Sequence, residues 1–164
     1  MVATLKYKTF SPGEPASVQK LGTFVGSEDA GNLKAYKVAK VALIPGIANA
    51  LIFAWQNPEA NKILVHEVIV RLGTAGGTAL AAMDIGVVAN AAATSDTIYD
   101  GVLVNFTGVY SSHNVTDTVG ANATEKPHIV DEKGGALSWI TGRESAAQIT
   151  ATLAGSVYIF YTEI

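Results

Sequence analysis

Past Leu33, turn residues interrupt the chain so often that no long helix can form. Pro45-Gly46, Asn57-Pro58, the glycines from Gly73 to Gly77, Gly101, Gly108, Gly120, Gly134-Gly135, Gly142 and Gly155 separate short runs of β-like character. The runs cover residues 36–44, 50–55, 62–72, 80–88, 97–104, 126–130, 136–141, 147–153 and 157–163. Eight or nine strands at this spacing predict an all-β domain, either an antiparallel sandwich or a closed barrel. Residues 90–94 and 144–148 contain good helix formers, but each stretch spans barely one turn, too short for a stable helix. One turn at each place is the expectation.

Two runs are the most informative. In residues 62–72 strict alternation puts Leu64, His66, Val68, Val70 and Leu72 on one face and Ile63, Val65, Glu67, Ile69 and Arg71 on the other. Both faces are largely apolar, which predicts a central strand covered on both sides. Glu67 and Arg71 stand four apart, too far along an extended strand to form a pair. Residues 157–163 are also apolar on both faces. An edge strand of that kind would invite aggregation, so the run predicts central pairing or a subunit interface.

Residues 1–32 have a different texture. Residues 1–10 alternate like a short strand, the prolines and glycine of 11–15 break it, 18–25 can pair again, and 26–31 form a polar loop. Net charge is +3 over residues 1–40 and −6 over 41–164, against −3 for the chain. The sequence predicts an extended N-terminal arm over 1–32, at the start of this basic leader of forty residues, and a sandwich domain over 33–164. The arm would dock on an acidic neighbour through Lys6, Tyr7, Lys8, Phe10, Lys20 and Phe24. The first forty residues of the chain contain no arginine, which argues against direct nucleic-acid binding.

Charged residues make up 15 % of the chain and hydrophobic ones 49 %. An average domain carries about 25 % charge, so part of this surface is expected to be covered by neighbours. A plainer reading is that alanine, glycine and threonine are simply abundant. Candidate subunit-interface residues are His66, Trp139, Tyr158, Phe160 and Tyr161.

Residues that carry chemistry are sparse. There is no cysteine, hence no disulfide, thiolate metal site or thiol nucleophile. His66, His113 and His128 have no companion at a metal-ligand spacing. Asp84, Asp96 and Asp100 fall in the most orderly part of the sequence, and Asp96 and Asp100, with Asn90 and Ser95, could offer oxygen ligands to calcium. Their spacing fits no EF-hand, and turn-ending aspartates explain them better. No Gly-x-Ser-x-Gly is present, and Gly73–Gly77 lacks the lysine of a phosphate loop. The expectation is a protein that is not an enzyme, with no cofactor and no metal.

Three Asn-x-Thr sequons begin at Asn105, Asn114 and Asn122, and residues 108–124 read as a long polar loop. Trp55 and Trp139 fall in predicted strands, where packing is the default and sugar stacking the alternative. No apolar run is long enough to span a bilayer, and MVATLKYKTF has no apolar signal core, so neither membrane nor secretion is expected.

The stretch Lys62-Ile-Leu-Val-His-Glu-Val-Ile-Val-Arg71, then Met83-Asp-Ile-Gly-Val-Val-Ala-Asn-Ala-Ala-Ala-Thr-Ser-Asp-Thr-Ile-Tyr-Asp-Gly101, resembles β-sandwich proteins of tailed-phage heads. The strands over 147–163 are similar too, and the resemblance covers about residues 61–164. It implies a jelly-roll-like fold, a homo-oligomer (a trimer in such proteins) and a major capsid protein as partner. The implied place is the capsid surface of a virion assembled in the host cytoplasm, where the protein would reinforce the shell. A carbohydrate- or receptor-binding module of a phage fibre or tail is the alternative, with the 108–124 loop at its tip.

Overall fold

The computed structural model describes residues 36–44, 51–77, 81–113, 127–146 and 152–164, apart from the side chains of 145 and 146. All of them belong to the unit Lys34–Ile164. The arm expected over residues 1–32 lies outside the described residues.

Within them the chain forms nine strands and no helix: β1 (Lys37–Ala42), β2 (Leu51–Gln56), β3 (Ile63–Thr74), β4 (Ala82–Val88), β5 (Tyr99–Leu103), β6 (Gly108–Ser111), β7 (His128–Val130), β8 (Trp139–Ala146) and β9 (Ala154–Glu163). They make two antiparallel sheets packed as a β-sandwich. One runs in the order β1-β9-β3-β6, with β7 also pairing β3; the other runs β2-β8-β4-β5.

The inner faces meet in one apolar core. Val65, Val68, Val70, Val157 and Ile159 from the five-stranded sheet are fully buried, as are Phe53, Met83, Ile85, Val102 and Ile140 from the four-stranded one. Each such side chain contributes about 1.5–3 kcal/mol. The strand β9 lies between β1 and β3, which is the central pairing its apolar run required.

The structure corrects the sequence reading at three places. Strict alternation along β3 fails, because the register against β9 shifts between Val65 and Glu67. His66 is the extra residue of a β-bulge, so Ile63 and Val65 point inward before it, and Val68, Val70 and Leu72 after it. Glu144-Ser-Ala146 continues β8 and does not coil. Pairing with β4 outweighs the helix propensity of these residues. Finally, the first residues of the expected 108–124 loop form β6, which pairs Leu72↔Gly108 through Ile69↔Ser111.

A buried side chain ties two connections together. Asn57 is completely buried and donates from Nδ2 to the carbonyls of Asn61 (3.0 Å) and Asp131 (2.8 Å). Its Oδ1 accepts from the Glu59 N–H at 3.0 Å. Buried amides left unpaired are costly, so this full set fixes the β2–β3 loop on the segment after β7. That segment turns at Gly134, whose φ of 86° favours glycine.

Candidate functional site

The outer face of the five-stranded sheet follows from the same alternation that builds the core. Opposite the inward Val157, Ile159 and Tyr161, β9 turns Ser156, Tyr158, Phe160 and Thr162 outward. Opposite the inward set of β3 lie Leu64, His66, Glu67, Ile69 and Arg71. The register stacks these into rows across the sheet: Val38↔Phe160↔Glu67, Lys40↔Tyr158↔Ile69 and Ala42↔Ser156↔Arg71.

One end of this face is apolar. Tyr36 is 69 % exposed, Val38 54 % and Ile129 57 %, with Leu64 beside Ile129 in register. The bulge organises that end. His66 Nε2 lies 3.0 Å from Thr162 Oγ1 on the neighbouring strand, and the His66 ring packs on Tyr36 with centroids 4.8 Å apart. Glu67 is held from the other side: Ser111 Oγ donates to its Oε1 at 2.5 Å, and His113 Nδ1 is 3.6 Å away.

The other end is cationic. Lys40 and Arg71 flank a groove of about 230 Å³ that is also lined by Gly73, Gly155, Ser156 and Tyr158. The Lys40 ammonium sits 5.7 Å from the centre of the Tyr158 ring, a cation–π arrangement.

The outer face of the four-stranded sheet is covered by its own chain. The β4–β5 connection folds back over Gly86 and Thr141, which pair in register. Thr141 Oγ1 donates to the Ala93 carbonyl at 3.0 Å, the Val87 N–H donates to Thr97 Oγ1 at 3.1 Å, and Thr141 is 1 % exposed. A Cβ on Gly86 would lie 2.4 Å from Ser95 Oγ, so glycine is what lets the loop close. Asp84 accepts the Gly101 N–H at 3.0 Å. No group of three or more His, Asp or Glu that could hold a metal occurs among the described residues.

Of the interface residues expected from sequence, the fold brings His66, Tyr158 and Phe160 together on the five-stranded sheet's outer face. Trp139 starts β8 in the other sheet, half-buried opposite Gln56 and Val88. Tyr161 belongs to the core at 5 % exposure. It packs its ring on Trp55 and donates its hydroxyl to Glu59 Oε1 at 3.0 Å. Burial, with the hydrogen bond to Glu59 next, raises the Tyr161 pKa above the usual tyrosine value. Lys37 joins the same corner, paired with Glu59 at 2.8 Å and with Glu163, and these hydrogen bonds hold its ammonium well above the ordinary lysine pKa. Lys6, Tyr7, Lys8, Phe10, Lys20 and Phe24 lie outside the described residues, as do Asn114 and Asn122.

Sequence reasoning passed over Tyr36, Val38, Ile129, Lys40 and Arg71 as site residues. The signal available was the alternation of residues 36–44, which sets Tyr36, Val38 and Lys40 on one side. No helix among the described residues is long and apolar enough to cross a membrane. Searches of protein-family models, of curated proteins and of solved structures found nothing that matches this chain.

Proposed function

We propose that this chain is a structural protein of virion type, a capsid decoration protein that associates with copies of itself on a phage head and stabilises the shell. The observation that carries this reading is the exposed apolar end of the five-stranded sheet, at Tyr36, Val38 and Ile129, in a chain whose charged content is only 15 %. The strands β1, β9, β3 and β6 hold 6, 10, 12 and 4 residues, and at about 3.3 Å per residue and about 4.8 Å between strands they span a face on the order of 500 Å². A stable interface takes about 800 Å² per partner, so the apolar end would supply the centre of such an interface and flanking residues the rest.

Further support comes from connectivity. With β7 set aside, eight strands fall into two sheets in the orders β1-β9-β3-β6 and β2-β8-β4-β5, which favours a jelly-roll reading of the sandwich. In this reading the body packs on its copies and the basic residues of 1–32 reach a major capsid protein. Many modest contacts then reinforce the lattice together.

Light scattering tests self-association directly. The wild type is expected at a multiple of its 17.0 kDa chain mass, and the double variant Val38→Asp, Ile129→Asp at the single-chain mass with its β-rich circular dichroism intact. A wild type of single-chain mass, or a double variant of unchanged oligomeric mass, refutes the interface. The shell contact has its own test. A chain lacking residues 1–32 is expected to keep its oligomeric mass and to stop co-sedimenting with capsids.

A further inference from the structure

The cationic end of the five-stranded sheet is built differently from the apolar end. Lys40 on β1 and Arg71 on β3 stand on either side of β9 and are the basic groups of the groove. The described lysines that form ion pairs do so elsewhere, at Lys37 with Glu59 and Glu163 and at Lys62 with Asp131. Neither Lys40 nor Arg71 has a carboxylate within such a distance among the described residues. Among the described residues, two cations without a carboxylate partner line one groove, in a chain whose net charge is −3.

Part of the groove between them is lined by glycine, at Gly73 and Gly155. A Cβ on Gly155 would lie 2.1 Å from the Arg71 carbonyl oxygen, so close approach of β3 and β9 demands glycine at that position. Gly73 is different: the nearest atom to a Cβ there is the Ala154 oxygen at 3.7 Å, an ordinary contact. The space above Gly73 is therefore open.

We propose that this groove is a binding site for a single carboxylate, the aspartate or glutamate side chain of an acidic protein segment. Arg71 offers a planar fork of donors that matches a carboxylate, and Lys40 adds a second charge from across β9. Ser156 stands between them with a hydroxyl. A polyanion such as nucleic acid is a poor fit, because two cations on an acidic chain would be outweighed by repulsion. A sugar ring is a poor fit as well, because the Tyr158 face it would stack on is taken by Lys40. The site does not depend on self-association, since it occupies the opposite end of the face from Tyr36, Val38 and Ile129.

The test uses the ¹⁵N-labelled full chain and three probes: a short peptide of aspartate, glutamate and glycine, its asparagine–glutamine counterpart, and glucuronate. The expected result is amide shifts at Lys40, Arg71, Gly73 and Ser156 with the acidic peptide alone, weakened by added salt. Arg71→Gln should weaken binding by roughly tenfold, the loss of one charge-assisted contact. Gly73→Glu places a carboxylate in the groove without crowding the backbone and should abolish peptide binding while the remaining spectrum stays folded. The proposal is overturned by absence of shifts, by equal shifts with the amide peptide, by glucuronate binding in the peptide's stead, or by both variants binding as the wild type does. Peptide binding is read whether the chain is a monomer or an oligomer, so it fails or stands separately from the oligomeric interface.

Discussion

Gly86 on the four-stranded sheet and Gly73 on the five-stranded one both point outward, yet they meet opposite surroundings. A side chain at Gly86 would strike Ser95 at 2.4 Å, whereas one at Gly73 finds nothing nearer than 3.7 Å. The first sheet spends its own β4–β5 connection on covering its outer face. The second leaves an apolar end and a cationic groove facing outward. The lesson is that burial within one chain and availability to a partner are divided between sheets, and the division follows where the long connection folds back.

The largest expected effect tests that division. Gly86→Val forces a branched side chain under the loop, and overpacking of this kind costs about 1–3 kcal/mol. Val38→Ser on the open face should change single-chain stability by no more than about 0.5 kcal/mol. Urea denaturation at a concentration where the chain is dissociated compares the two. Equal losses would mean that the open face is in fact packed, and the contrast would collapse.

A smaller effect isolates the fastening of the loop. Thr141→Val keeps the shape but removes the donor to the Ala93 carbonyl, and should cost about 1 kcal/mol. Hydrogen exchange of the amides in the β4–β5 connection should quicken with it. Unchanged exchange would show that the loop is held by packing alone.

The smallest effect concerns charge. The five-stranded side is fastened near β7 by Asp131, whose carboxyl is held below its ordinary value of 3.8 first by the hydrogen bond from Lys62 and then by the Leu137 N–H. A depressed carboxylate contributes stability above its unfolded pKa and loses it as pH falls through the folded one. The wild type should therefore lose more stability than Asp131→Asn between about pH 6 and pH 3. Identical acid limbs in the two proteins would remove Asp131 from the account.

Much of the fold was legible because turns are written in glycine and proline. Asn57-Pro58 and Gly134-Gly135 announce their connections, and the apolar run of β9 announces a central position. The bulge at His66 was not legible. A single polar residue in an apolar strand does not say whether it continues the alternation or interrupts it, and only the register against β9 decides. The strand β6 was hidden by its four-residue length and threonine-rich surroundings. In the candidate site, Tyr158 and Phe160 were legible as outward aromatics of one run. The groove was not, because Lys40 and Arg71 stand thirty-one positions apart and become neighbours only when β9 inserts between their strands.

That insertion also governs the order of assembly. Lys37 and Glu163 close a pair across 126 positions of chain, and β1 and β3 touch the same sheet only through β9. On a growing chain, β1 and β3 emerge first and wait with vacant ladders until the residues of β9 arrive. Such distant closure makes folding slow, on the order of milliseconds to seconds. During that interval the unfilled slot is open to the β9 of another copy, so exchange of this strand between newly made chains is the hazard built into the topology.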